Sequence, residues 1–74
     1  MELEKQALEK YGHFHSTHEV YGVMFEEVNE FFDIVKEKPG TPNKKNRMIS
    51  ELDDIIAVCS RAKKELQNNE IKFV

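Results

Sequence analysis

Residues 16–37 read STHEVYGVMFEEVNEFFDIVKE. The stretch opens with Ser16-Thr17-His18-Glu19, a capping box with Ser16 as N-cap and Glu19 at N3. Val20, Val23, Met24, Val28, Phe31, Ile34 and Val35 then recur at helical spacing. With Tyr21, Phe25 and Phe32 they cover an apolar arc about 200° wide. The spacing predicts a helix from about Thr17 to Glu37. Its stop is Lys38-Pro39-Gly40-Thr41-Pro42-Asn43, which holds both prolines and one of the three glycines. Beyond it, Met48, Ile49, Leu52, Ile55, Ile56, Val58, Cys59, Ala62 and Leu66 share one face. They predict a second long helix from roughly Arg47 to Gln67, ended by Asn68-Asn69. The tail, residues 68–74, carries Ile71 to Val74, a short apolar run able to pair or dock. Upstream, residues 2–10 (ELEKQALEK) are strong helix formers, Gly12 can end that helix, and His13 to Ser16 form a link. The expected fold is all-α: a short N-terminal helix, then an antiparallel hairpin of two long helices, each roughly 30 Å long.

The chain has 74 residues, room for one domain spanning 1–74. A chain this short buries only about 60% of its unfolded surface. A partner copy, a metal or a ligand is therefore expected to complete its stability. No apolar run reaches the roughly 18 residues of a membrane span, so no membrane partner is expected. The first ten residues are charged throughout, so no signal peptide is expected there. The single cysteine, Cys59, excludes an intramolecular disulfide and a CxxC zinc site, which makes a cytoplasmic setting the expectation. Eleven Lys and Arg face fourteen Asp and Glu, for a net charge of -3, which argues against nucleic acid as a partner. Residues 39–50 are the exception: Lys44, Lys45 and Arg47 stand there with no acid, between two acidic regions.

The acids fall in unusual places. On the first long helix, Glu27 lies between Ile34 and Val20, inside the apolar arc. Glu30 lies on the arc's edge and Glu26 just outside it. On the second, Glu51 lies between Val58 and Ala62, and Asp54 just beyond the edge. Each helix thus has one acid within its packing face and another three residues later, on the same face. A carboxylate on a packing face costs several kcal/mol unless something neutralises it. Four carboxylates from two facing helices also repel. One divalent cation would relieve both problems, and all-oxygen ligation suits Mg²⁺, with Mn²⁺ as the alternative. Two other arrangements stay open at this level. Glu27 and Glu51 could pair with Lys63, which also lies in the apolar arc, and Glu26, Glu30 and Asp54 could be solvated.

The acids spell Glu26-Glu27-x-x-Glu30, then twenty residues, then Glu51-x-x-Asp54. This resembles the E-E-x-x-E…E-x-x-D signature of the MazG-like all-α nucleoside triphosphate pyrophosphohydrolases. The lead-in His15-Ser16-Thr17-His18-Glu19-Val20-Tyr21-Gly22 is similar to short MazG-like proteins, and the resemblance covers residues 13–66. It implies that Glu27, Glu30, Glu51 and Asp54 hold Mg²⁺, and that Glu26 is a catalytic acid orienting a water or another side chain. It implies a nucleoside triphosphate as substrate, hydrolysed to the monophosphate and pyrophosphate by metal-assisted attack of water at the α-phosphorus. It further implies nucleotide-pool control or house-cleaning. Family domains have a four-helix core, so two long helices imply completion to a four-helix-type bundle by oligomerisation, as a homodimer or homotetramer.

Other residues complete the expected site. Lys63 is the expected phosphate-binding residue, with Lys64, Lys44, Lys45 and Arg47 as further basic candidates. Phe14 and His15, in the link near the helix start, are the expected base-binding residues. His13, His15 and His18 form H-x-H-x-x-H, which lacks the cysteines and spacing of a zinc signature. There is no P-loop and no EF-hand motif, and the second acid pair ends in Asp54 where a di-iron bundle needs His. The competing expectation from another class is a helical-hairpin interaction or oligomerisation module without chemistry. A nucleotide-binding family member without turnover is the third.

Overall fold

The computed structural model describes residues 13–73, and the helix expected over residues 2–10 lies outside them. The described part is a two-helix hairpin: α1 (Thr17–Val35) and α2 (Lys44–Gln67). The start of α1 is the one read from the capping box. Ser16 is the N-cap, extended in backbone, and its hydroxyl accepts from the Glu19 N–H at 3.2 Å.

Two boundaries differ from expectation. α1 ends at Val35, because the chain turns there and Lys44 reaches back across the loop. Its ammonium donates to the Val35 and Glu37 carbonyls at 3.2 and 2.6 Å, meeting acceptors that the helix end exposes. α2 begins at Lys44, three residues earlier than expected. Its N-cap, Asn43, is left-handed (φ 59°) and makes no side-chain cap bond. A first turn of Lys44-Lys45-Asn46-Arg47 shows neither an apolar period nor a capping signature. The C-terminus is a Schellman turn: Glu70 N–H donates to the Glu65 carbonyl at 2.8 Å and Asn69 N–H to that of Leu66 at 3.2 Å. Asn69 takes the left-handed position, φ 58°.

That turn sends the tail back along the hairpin. Ile71 enters a core with Phe14, Val20, Val58 and Ala62, flanked by Val23 and Met24. Lys72 forms a parallel bridge with Ser16, and the Thr17 N–H donates to the Lys72 carbonyl at 2.9 Å. The tail therefore docks, as its apolar residues allow, and closes the end of the hairpin opposite the Pro39–Pro42 loop.

Each helix carries two adjacent stripes with alternating steps of four and three residues, the spacing of helices that pack at a shallow angle. The inner pair faces the other helix: Val20, Met24, Glu27, Phe31 and Ile34 on α1; Met48, Glu51, Ile55, Val58, Ala62 and Glu65 on α2. These are buried or half-buried. The outer pair sits one residue further round: Tyr21, Phe25, Val28, Phe32 and Val35, and Ile49, Leu52, Ile56, Cys59, Lys63 and Leu66. Apart from half-buried Cys59, the whole outer pair is exposed. A hairpin covers one stripe per helix, and the second is left over. No described helix is long and apolar enough to cross a membrane.

Candidate metal centre

Glu27 sits midway along α1 on the inner stripe, and only 3% of it is exposed. Glu51 and Asp54 approach it from α2, both half-buried. One oxygen from each of the three lies within 4.8 Å of the others. Glu30, one turn on from Glu27, is exposed at the rim yet acts on Glu51. Burial raises the Glu51 pKa from an ordinary 4.5 to about 7, helped by the charge of Glu30, by hydrogen bonds with Glu30 and Glu27, and by the charge of Glu27. Every neighbour that moves Glu51 is thus an acid. Carboxyl groups hydrogen-bond to each other only when one carries a proton, because the ionised form accepts and cannot donate. The second Glu51 oxygen, Oε2, is buried and accepts no hydrogen bond from any described residue.

The site therefore holds its like charges together by keeping a proton. A hard divalent cation could take the proton's place. The donors are all oxygen, come from two rigid helices and leave one side open, which suits Mg²⁺ or Mn²⁺. Glu27, Glu51 and Asp54 could hold such an ion, with Glu30 able to reach it from the rim. Glu26 is exposed, next to Glu27 in sequence but outside this cluster.

The other expected residues are not gathered here. Lys63 is exposed, belongs to the outer stripe and is twelve residues past Glu51, about 18 Å along the axis. It does not contribute to the Glu51 shift, so neither ion pairing with Glu51 nor phosphate binding at this site is available to it within one chain. Phe14 is 2% exposed in the closed-end core, where it cannot stack on a base without leaving that core. His15 is exposed beside it, ahead of the α1 start at Thr17, which is itself ten residues, about 15 Å along the axis, from Glu27.

Two features were missed by sequence reasoning. The first is Glu65, 1% exposed, which accepts from the Phe14 N–H at 3.2 Å and lies 2.8 Å from Arg61 Nε. This contact is an ion pair without hydrogen-bond alignment. Arg61 also donates to His13 Nδ1 at 3.1 Å. His13, Glu65 and Glu70 bring ligand atoms within 4.8 Å, but Arg61 already supplies the cation there. The second is a cavity of about 300 Å³ toward the loop, sharing Glu30 and Glu51 with the acid cluster. The i, i+4 relation of Arg47 to Glu51 was the available signal for it. No protein-family model, no curated protein and no solved structure matches the chain.

Proposed function

We propose that this chain is a Mg²⁺-dependent nucleoside triphosphate pyrophosphohydrolase of the MazG-like type. The observation that carries the reading is the convergence of Glu27, Glu51 and Asp54 from two helices onto one half-buried point, where burial and the neighbouring acids Glu30 and Glu27 raise the Glu51 pKa to about 7. This is a costly arrangement with no evident structural benefit. Glu27, Glu51 and Asp54 would hold the metal, and Glu30 would complete the set from the rim. When bound, Mg²⁺ would shield phosphate charge and lower the pKa of a bound water. The acids alone would repel a triphosphate, so they position the cation and keep the ligand off the bare helix faces. Glu26, on the solvent side, would act from there on a water or a side chain. The products are pyrophosphate and the nucleoside monophosphate, with a role in nucleotide-pool control or house-cleaning.

The exposed outer stripes support completion by a second copy. Each helix offers a face with coiled-coil spacing, and a second hairpin supplies two such faces, making a four-helix bundle. The same stripes favour the second reading, a non-catalytic interaction module. Turnover separates the two. Purified protein is offered a panel of NTPs and dNTPs with Mg²⁺, and with EDTA as control, and pyrophosphate is resolved from orthophosphate. Mg²⁺-dependent pyrophosphate and monophosphate, lost in Glu51→Gln, establish the enzyme. Absence of turnover with every nucleotide moves the conclusion to the interaction module, or, if nucleotides still raise the melting temperature, to a binding protein.

A further inference from the structure

We propose that Arg47 is the residue that grips the phosphates of the bound ligand, and that Glu37 holds it in waiting. The inference rests on the reading of Glu27, Glu51 and Asp54 as metal ligands.

The cavity of about 300 Å³ has Glu30 and Glu51 on its wall toward the metal centre and Glu37 and Arg47 on its wall toward the loop. Arg47 is the only cation among its lining residues. It stands one turn before Glu51 on the same face of α2, about 6 Å along the axis. A polyphosphate chelated at the acids would therefore extend its remaining oxygens toward this guanidinium.

Arg47 now donates through Nη1 and Nη2 to the two Glu37 oxygens, both at 2.7 Å. The fork that fits a carboxylate also fits two phosphate oxygens, and phosphate brings more charge. Glu37 is a replaceable partner because ion pairs open to water stabilise little. The rest of the charged lining is acidic (Glu30, Asp33, Glu37 and Glu51), so phosphate oxygens would need the metal and Arg47 together to stay there. The first turn of α2 carries Lys44, Lys45 and Arg47 and no acid, although a helix N-terminus repels cations and attracts anions. Lys44 is occupied with the carbonyls at the end of α1. Arg47 is occupied only by a side chain that can swing away.

The test uses inorganic tripolyphosphate, which has no base or sugar, with excess Mg²⁺, measured by titration calorimetry on the wild type, Arg47→Gln and Glu37→Gln. Mn²⁺ binding alone is measured in parallel by electron paramagnetic resonance. Both variants break the same ion pair, so any loss of loop stability is common to them. The expected result is affinity for Mg²⁺-tripolyphosphate weakened about tenfold in Arg47→Gln and strengthened in Glu37→Gln, with Mn²⁺ binding unchanged in both. Equal weakening in the two variants would show the pair to be a loop staple and overturn the inference, as would an unaffected Arg47→Gln. Failure of the wild type to bind Mn²⁺ would overturn the metal reading, and this inference with it.

Discussion

Two glutamates on the inner face of α2, Glu51 and Glu65, are taken out of water by the same hairpin in opposite ways. Glu65 is the more deeply buried, and its own chain provides for it: Arg61 against one oxygen, the Phe14 N–H on the other, and His13 nearby. Glu51 is less buried, yet the groups that act on it are Glu30 and Glu27. One carboxylate is compensated from within, and the other is crowded by acids. Burying a charge is tolerable when a partner is built in, as at Glu65. At Glu51 the partner has to come from outside, as a proton or a cation. That contrast is the physical reason for treating one cluster as structural and the other as a site.

The same substitution at the two positions should therefore act with opposite sign. Glu65→Gln removes the partner of a buried cation and should cost about 3 kcal/mol, at the low end for a broken buried pair because Arg61 keeps some access to water. Urea denaturation of the metal-free protein reads this directly. Glu51→Gln removes a charge from an acidic cluster and should raise metal-free stability by about 1 kcal/mol. A loss at Glu51 as large as that at Glu65 would mean that an internal partner serves both.

The pH response sharpens the contrast. Folded Glu51 holds its proton up to about pH 7, against an ordinary 4.5. Between those values the unfolded carboxyl ionises while the folded one does not, so the Glu51 contribution to stability falls as pH rises and is fully lost above about 7. Mg²⁺ should accordingly raise the melting temperature more at pH 8 than at pH 5.5, where it must displace a proton. In Glu51→Gln that difference should shrink toward zero. A Mg²⁺ shift of the same size at both pH values would break the proton-for-metal exchange.

The smallest expected effect concerns the outer stripe. Phe25→Glu should give a monomer by light scattering while leaving Mn²⁺ binding in place, because every acid of the site comes from one hairpin. Loss of Mn²⁺ binding on dissociation would make the site a property of the assembly instead.

Much of this was legible in the sequence, and what was not has a common cause. The capping box at Ser16, the loop around Pro39 and Pro42, and the two long helices follow from local chemistry. Glu27 and Glu51 were visible as acids inside apolar arcs, because helical period alone assigns a face. Glu65 was not, since it lies at the border of its arc. It is buried where the link brings the Phe14 N–H onto it, at the end of the hairpin that Phe14 and Ile71 close. Lys63 illustrates the other limit: periodicity placed it on an apolar face but gave no neighbour, and it lies several turns from the acids. Arg47, whose side chain reaches across the loop to Glu37, is the cation that the tertiary fold brings to the site's cavity instead. Phe14 was an aromatic in a link, and only the packed hairpin makes it core.

The most direct test of the metal centre is Mn²⁺ binding followed by electron paramagnetic resonance, comparing wild type, Glu51→Gln and Glu65→Gln at pH 8. The expected result is saturable Mn²⁺ binding in the wild type, its loss in Glu51→Gln, and retention in whatever fraction of Glu65→Gln remains folded. No binding in the wild type, or undiminished binding in Glu51→Gln, would contradict the assignment of Glu27, Glu51 and Asp54 as a cation site.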